Sequence, residues 1–398
     1  MDMMTKSSSS RSNVVRLCLM TMVSMIFHVQ LGGAAGGGHL QRQVPAVYVL
    51  GDSTLEVGNN NYLPGKDVFR ANKPYNGIDY PGSKPTGRFS NGYNLADFIA
   101  MKLGFRESPP AYLSLLGPLN LTLAVQAITI GVSFASAGAG ILDSTYAGKC
   151  IPLSEQVRSM EATRAAMVAK VGSRAATAHL ARSFFLLGVA NNDMLVFAAA
   201  QQQHNRSATP SDVAAFYTTL IASYSAAITE LYGMGARKFA IVNVGLVGCV
   251  PLVRAQSPTA ACNDDLNRLA TGFNDAVGSL LSGLAAHLPG FVYSLADSHT
   301  LGQLAVDDPM ASGYTSVDRA CCGRGRLGAE GECEVGSTLC SDRDKWAFWD
   351  RVHPSQRANM LTAEAYYDGP AQLTKPINFK QLAHTTAPLL LLTPIYFF

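Results

Sequence analysis

One serine, one histidine and one aspartate in this sequence have the residue types and spacing that nucleophilic catalysis requires. Ser53 follows the apolar run Val47–Leu50 and a glycine, so it should stand on a tight turn after a strand. Asp350 precedes His353 by one turn, close enough for the carboxylate to orient the imidazole and stabilise its protonated form. Acyl transfer needs such a nucleophile, base and orienting group. We therefore predict that Ser53 is the nucleophile, His353 the base and Asp350 its orienting residue.

The same chemistry needs hydrogen-bond donors for the oxygen that becomes negatively charged in the transition state. The glycine-rich segment Ser136–Gly140 offers backbone N–H groups, and Asn192 offers a side-chain amide. Each also has an ordinary structural explanation. The segment could be a tight crossing between a strand and a helix, and Asn192 or Asp193 could cap a helix.

Strand-like and helical patterns alternate between these segments. Apolar residues at three- and four-residue steps predict helices over Val213–Leu231 and Leu266–Leu284. This alternation predicts one doubly wound, mostly parallel sheet with helices on both faces. The catalytic candidates would then lie near the carboxyl ends of strands, where such sheets bind ligands. Five short apolar runs are typical of strands covered on both faces: Ala46–Leu50, Gly131–Ala135, Ser183–Val189, Lys238–Val244 and Gly290–Leu295.

Composition excludes two classes of protein. Hydrophobic residues make up 48% of the 398 residues and charged residues 15%, which fills a large core and excludes a disordered chain. The formal net charge of +3 is too small to indicate binding to nucleic acid.

Both ends of the chain differ from its centre. Basic residues, the apolar stretch Leu17–Val29 and then small residues follow the order of a secretory signal peptide, and the stretch is too short to favour a membrane span. We assign residues 1–36 to this signal, 37–383 to one catalytic domain and 384–398 to an apolar tail of no assigned role. A lipid-anchor signal is the alternative interpretation of the tail.

The cysteines also indicate export. Cys18 lies in the predicted signal, and seven of the eight cysteines follow it. Cys249 and Cys262 would close a short loop, and the cluster Cys321–Cys340 lies in a glycine-rich stretch that needs cross-linking. A zinc site is the alternative, although no two C-x2-C pairs are present. Seven is odd, so we expect one free thiol and assign it to Cys150.

Two sequons begin at Asn120 and Asn205. Both can be glycosylated once the chain enters the secretory route.

Longer motifs surround the candidate residues in a fixed order. They are Val49–Leu63, Pro85–Gly92, Gly131–Gly140, Ala190–Asp193, Asn243–Pro251 and Phe348–Pro354. Together they resemble the motifs of the plant GDSL esterase/lipase family, within the SGNH hydrolase superfamily, and they span about residues 44 to 383.

The resemblance implies a three-layer α/β/α sandwich with a flavodoxin-like, mostly parallel five-stranded sheet, and hydrolysis of carboxylic esters. Ser53 would be the nucleophile, His353 the base and Asp350 the orienting group. The Ser53 and Gly138 N–H groups and the Asn192 side chain would form the oxyanion hole. No metal and no cofactor are implied. The substrate would be a lipid, cell-wall or small-metabolite ester, cleaved outside the cell in the cell wall or apoplast.

Four positions depart from the family pattern. Thr54 replaces a leucine, Glu56 replaces an aspartate, and Ala137 and Ala190 replace glycines. Alanine costs about 1 kcal/mol or more where φ must be positive, so a slowed enzyme is one expectation. Two other functions stay open: acyl transfer to an alcohol through the same acyl-enzyme, and a catalytically silent homologue that acts as a binding protein.

Overall fold

The computed structural model describes residues 41–116, 121–203 and 207–386. The predicted signal peptide, Asn120, Asn205 and residues 387–398 lie outside the described residues. The domain boundaries and the two glycosylation sites therefore stay predictions.

A six-stranded sheet forms the centre of the molecule. Its strands are β1 (Val47–Gly51), β2 (Gly131–Ser133), β3 (Phe184–Gly188), β4 (Lys238–Val242), β5 (Val292–Ala296) and β10 (Thr374–Lys375). Four short strands between β5 and β10 in the chain lie outside this sheet: β6 (Ser316–Ala320), β7 (Cys322–Gly323), β8 (Thr338–Leu339) and β9 (Trp346–Phe348). The order across the sheet is β10-β5-β4-β3-β1-β2, and β1 to β5 run parallel. The order 2-1-3-4-5 is that of flavodoxin-like sheets, and all five predicted strands are confirmed.

The sixth strand was missed by the sequence analysis. β10 pairs antiparallel with β5 through only two residues, Thr374 and Lys375. A strand this short at the edge of a sheet has no apolar run by which it could be recognised.

Helices cover both faces of the sheet. In the described part of the chain they are α1 (Leu95–Lys102), α2 (Leu121–Thr129), α3 (Leu153–Val171), α4 (Ser173–Arg182), α5 (Asn191–Gln203), α6 (Pro210–Met234), α7 (Pro251–Arg254), α8 (Asp264–His287), α9 (Ser298–Asp307), α10 (Gln356–Asp368) and α11 (Phe379–His384). The predicted helices over Val213–Leu231 and Leu266–Leu284 are α6 and α8.

Alternate residues of each strand enter two separate cores. Tyr48 and Leu50 of β1 pack with residues of α2, α3, α4, α6 and α8, whereas Val47 and Val49 pack with residues of α1, α10 and α11. This period of two follows from the pleat of the strand. The result is the predicted three-layer α/β/α sandwich.

Three disulfides join six of the cysteines: Cys249–Cys262, Cys321–Cys340 and Cys322–Cys333. Cys150 is free, as predicted. The zinc alternative is wrong because its proposed ligands are bonded to one another. Disulfides form and persist in oxidising compartments, which agrees with an exported protein.

No helix among the described residues is both long and apolar enough to cross a membrane.

Candidate active site

Ser53 lies on a turn whose backbone is fixed immediately after β1. A Cβ atom on Gly51 would lie 2.3 Å from the carbonyl oxygen of Gly188, so only glycine fits where β1 and β3 come together. The Gln156 side chain holds Gly51 from both sides: Gly51 N–H donates to Gln156 Oε1 at 2.8 Å, and Gln156 Nε2 donates to the Gly51 carbonyl at 2.9 Å. The turn therefore has little freedom, and Ser53 Oγ is presented at the carboxyl end of β1.

Asp350 and His353 lie in the loop between β9 and α10. Asp350 Oδ1 accepts the backbone N–H groups of Val352 at 2.9 Å and His353 at 2.8 Å, so the loop folds around the carboxylate. His353 Nδ1 lies 2.7 Å from Asp350 Oδ2, and His353 Nε2 lies 2.8 Å from Ser53 Oγ. The fold thus aligns a carboxylate, an imidazole and a hydroxyl across 300 positions of sequence.

The Asp350 carboxylate and the protonated His353 imidazole stabilise each other. Burial by itself lowers the pKa of His353, but the charge of Asp350 and its hydrogen bond outweigh burial, so the pKa of His353 is raised above its ordinary 6.5. Burial likewise raises the pKa of Asp350, and the charge and hydrogen bonds of His353 reverse that effect, leaving it below its ordinary 3.8. Asp350 therefore stays ionised and favours the protonated imidazole.

Gly138 and Asn192 line the same cavity as Ser53 and His353. Among the described residues, the N–H groups of Ser53 and Gly138 find no protein acceptor. Gly138 has a φ of 88°, and a Cβ atom there would lie 2.7 Å from Cδ2 of Phe69. Asn192 Nδ2 donates one hydrogen bond, to the Ala139 carbonyl at 2.9 Å, which ties the amide to the glycine-rich segment. Donors are thus available in the cavity that Ser53 lines.

Two buried acidic side chains, Glu56 and Asp193, hold that glycine-rich segment, a role that the sequence analysis did not predict. Glu56 Oε1 accepts the Asn60 N–H at 2.6 Å, and Glu56 Oε2 accepts the Ala137 N–H. Burial raises the pKa of Glu56 to about 8. The family pattern has an aspartate here, and the longer glutamate still reaches both N–H groups.

Asp193 holds the far end of the segment. Its carboxylate accepts the Ile141 N–H at 2.9 Å, the Leu142 N–H at 3.2 Å and the Thr145 hydroxyl at 2.7 Å. Burial raises the pKa of Asp193 to about 6. Asn192 and Asp193 both lie inside α5, and their side chains reach the glycine-rich segment, so neither acts as the helix cap considered above.

The other departures from the family pattern differ in their cost. The Thr54 hydroxyl donates to Asp52 Oδ1 at 2.7 Å, so threonine gains a partner that leucine would lack. Ala190 has a φ of 97°, whereas Ala137 is not among the residues with positive φ. The expected strain is therefore present at Ala190, and the expectation was wrong for Ala137.

A cavity of about 480 Å³ opens above Ser53. Its volume lies within the range of small-molecule sites. The segments Tyr75–Tyr93 and Met310–Glu330 contribute Phe89, Ser312, Tyr314 and Val317. Other lining residues, which the sequence did not indicate, include Phe69, Tyr146, Leu246, Val250, Leu301 and Leu304.

Comparison with known proteins shows the family to which the chain belongs. The family described as GDSL-like Lipase/Acylhydrolase matches residues 47–366. The chain therefore belongs to the GDSL-like lipase/acylhydrolase family, and the prediction of a carboxylic ester hydrolase is confirmed.

Individual relatives show how far the similarity extends. GDSL esterase/lipase At5g55050 of Arabidopsis thaliana is 38% identical over 347 residues, covering 84% of this chain and 90% of that protein. GDSL esterase/lipase At1g71691 of the same plant is 35% identical over 345 residues, covering 85% of this chain and 86% of that protein. A solved lipase from a goat rumen metagenome is 14% identical to this chain, and the match covers 80% of this chain and 94% of that lipase. Its TM-score of 0.35 is too low to support a conclusion about the fold.

Proposed function

We propose that the protein is a secreted serine esterase that cleaves carboxylic esters through an acyl-enzyme on Ser53. The observation that carries this proposal is the row of groups in which Ser53 Oγ lies 2.8 Å from His353 Nε2 and Asp350 Oδ2 lies 2.7 Å from His353 Nδ1. These distances lie within the hydrogen-bond reach that a nucleophile, its base and the base's orienting group require.

In the first half-reaction Ser53 Oγ forms a bond to the ester carbonyl carbon and its proton passes to His353 Nε2. The tetrahedral intermediate collapses as the bond to the alcohol oxygen breaks, and His353 returns the proton to that oxygen. Water then attacks the acyl-enzyme and gives a proton to His353. The carboxylic acid leaves as Ser53 Oγ regains its proton.

The negative oxygen of both intermediates would be held by Ser53 N–H, Gly138 N–H and the Asn192 amide. The two N–H groups support this role because they find no other acceptor in the described part of the chain. The side-chain oxygens of Glu56 and Asp193 fix the segment that carries Gly138, so these donors are oriented before the reaction begins.

Apolar lining of the cavity supports an ester with an apolar acyl group. Leu246, Val250, Leu301 and Leu304 all contribute to it. Lipid, cell-wall and small-metabolite esters can all carry such a group. Three disulfides and the predicted signal peptide support action outside the cell, in the cell wall or apoplast, with glycosylation at Asn120 and Asn205.

A catalytically silent homologue is disfavoured by what three of the four altered positions do, whereas Ala190 carries backbone strain. Thr54 and Glu56 both make hydrogen bonds in the turns around Ser53, and Ala137 keeps ordinary backbone geometry. Acyl transfer would use the same acyl-enzyme, and adding an alcohol acceptor to the assay would reveal it as ester exchange.

The test is hydrolysis of p-nitrophenyl butyrate by the secreted mature protein, comparing wild type with Ser53→Ala. We expect the variant to fall to background and to resist labelling by an organophosphonate. Ser279→Ala is the matched control, because Ser279 lies on α8 and, among the described residues, its hydroxyl bonds only the Asp275 carbonyl. A folded wild type that neither hydrolyses the ester nor takes the label would refute the proposal.

A further inference from the structure

Three aromatic rings lie on the wall of the cavity, and the first of them contacts His353. The Phe89 ring lies 4.7 Å from the imidazole, centre to centre. Phe89 packs in one apolar cluster with Phe69, and the Phe69 ring meets the edge of the Tyr146 ring at 5.1 Å. All three rings line the cavity above Ser53. We call Phe89, Phe69 and Tyr146 the aromatic row.

Tyr146 is held in the aromatic row against its backbone preference. Its φ is 45°, a left-handed conformation that bulky residues rarely adopt. The chain around it is fixed, because the Thr145 hydroxyl donates to buried Asp193 and the Lys149 N–H donates to the Tyr146 carbonyl. Backbone strain of this kind persists where the surrounding structure imposes it, and it is frequent at ligand-binding sites.

The direction of proton transfer shows which part of an ester would meet this row. His353 Nε2 returns its proton to the alcohol oxygen, so the alcohol portion must lie beside the imidazole when the ester bond breaks. Phe89 lies against that imidazole, and Phe69 and Tyr146 line the same cavity, with Phe69 packed against the apolar cluster that contains Phe89. The aliphatic lining residues belong to other elements, such as α9 and the loop after β4.

We propose that the aromatic row is a binding subsite for a flat ring in the alcohol portion of the ester, as in a phenol or benzyl alcohol. Ring pairs prefer stacked or edge-to-face contacts and gain from them beyond simple burial. The row offers such contacts from His353 outward. This inference rests on the proposed function, because it assigns the leaving group of that reaction.

The experiment compares benzyl butyrate with hexyl butyrate, whose alcohols are similar in size and differ mainly in the ring. The readout is the benzyl-to-hexyl ratio of kcat/KM for each variant, divided by the wild-type ratio, so that the intrinsic reactivities of the two esters cancel. We expect Tyr146→Leu, which keeps an apolar side chain, to lower the ratio about 2- to 10-fold, the size of one ring contact. Tyr146→Phe should keep the ratio.

Two further variants complete the design. Tyr146→Gly accepts a φ of 45° without strain, so it gives a second truncation if the leucine variant fails to fold. Tyr62→Ala is the matched control, because Tyr62 is 58% exposed and lies outside the cavity. It should leave the ratio at the wild-type value.

The outcomes separate the two proposals. If the esters are hydrolysed in a Ser53-dependent way and the ratio stays within about twofold for Tyr146→Leu and Tyr146→Gly, the aromatic subsite is refuted and the esterase stands. A ratio that falls equally for Tyr146→Phe would also refute the subsite, because the ring is retained in that variant. If folded wild type hydrolyses neither ester and Ser53 resists the phosphonate, the proposed function itself fails.

Discussion

Ala190 and Ala137 are two buried alanines that replace family glycines in different backbone conformations. Ala190 is 0% exposed with a φ of 97°, and Ala137 is 1% exposed and not among the residues with positive φ. Replacing either alanine by glycine removes one buried methyl group and adds conformational freedom to the unfolded chain, and both effects lower the free energy of unfolding. Because both variants carry these costs, the costs cancel when the two variants are compared. Only Ala190→Gly relieves left-handed strain, which amounts to about 1–2 kcal/mol.

We therefore predict that Ala190→Gly has a higher free energy of unfolding than Ala137→Gly, by about 1–2 kcal/mol. Urea denaturation of the two variants beside wild type measures the difference directly. Equal stabilities would mean that the turn between β3 and α5 accommodates alanine without strain.

The sequence predicted the chemical groups of the site far better than the residues that position them. Ser53 could be found because it follows a strand-like run, and His353 because Asp350 stands one turn before it. Gln156 and Glu56 are fully buried hydrogen-bonding residues. In the sequence they look like ordinary polar side chains of a solvated surface. Their burial depends on which distant segments cover them, and no local pattern encodes that.

Among the secondary-structure elements, the disulfide-linked segment beside β9 has a direct connection to the site. Cys321 N–H donates to the Phe348 carbonyl at 3.1 Å, and Cys322 N–H donates to the Trp349 carbonyl at 2.7 Å. Trp349 N–H in turn donates to the His353 carbonyl at 2.8 Å. The cross-linked segment therefore supports the backbone that carries the base.

We predict that the double variant Cys322→Ser, Cys333→Ser loses activity as well as stability. Removing the disulfide should cost about 2–4 kcal/mol of unfolding free energy. A small displacement of His353 should lower kcat about 10- to 100-fold in the fraction that stays folded. Initial rates divided by the folded fraction, obtained from circular dichroism, measure the second effect.

Cys150→Ser is the control for this pair, because it changes the same atom at the one cysteine that is free in the described chain. Cys150→Ser should change kcat by less than about twofold, because Cys150 is not one of the three residues Ser53, His353 and Asp350. If the double variant keeps the wild-type kcat per folded molecule, the disulfide-linked segment stabilises the fold without positioning the base.

Prediction at the level of elements succeeded where the pattern was long or strongly apolar. The strands β1 and β3 are continuous buried runs, and α6 and α8 repeat their apolar residues over several turns. The segment that holds Tyr146 has neither kind of pattern. Its conformation is imposed by Asp193 and by neighbouring chain, so only the structure revealed it.

At the scale of the whole molecule, strand order explains why distant residues meet. β1 lies between β2 and β3, so the chain leaves β1 in one direction and returns on its other side. Sheets of this kind open a crevice at the carboxyl ends of the strands where the order reverses. Ser53 follows β1 and Asn192 follows β3, which brings both to that crevice.

Three buried acids near this crevice make the stability of the molecule depend on pH. Burial raises the pKa of Glu56 from 4.5 to about 8 and that of Asp193 from 3.8 to about 6. It also raises the pKa of Asp52. For each acid the folded state favours the protonated form. The stability that this contributes is complete below the unfolded-state pKa and is lost as pH rises through the folded-state pKa.

The raised pKa of His353 acts in the same direction, because its folded-state proton is also lost at a higher pH than in the unfolded chain. His179 opposes them, since burial lowers its pKa. We predict that the free energy of unfolding falls between pH 4.5 and pH 8, with Glu56 contributing over the whole of that interval. Urea denaturation at both ends of the interval measures this change.

Glu56→Gln identifies the source of the change. The amide cannot ionise, so the slope of stability against pH should become shallower, whereas the loss of one acceptor lowers stability by an amount that does not depend on pH. The slope, rather than the absolute stability, is therefore the quantity to compare. Glu155→Gln is the matched control, because Glu155 is half exposed, pairs with Arg158 and has a pKa that is lowered rather than raised, so it does not contribute a fall in stability with rising pH. A wild-type slope in Glu56→Gln would mean that Glu56 is already ionised in the folded protein at pH 4.5, held so by the N–H groups of Asn60 and Ala137.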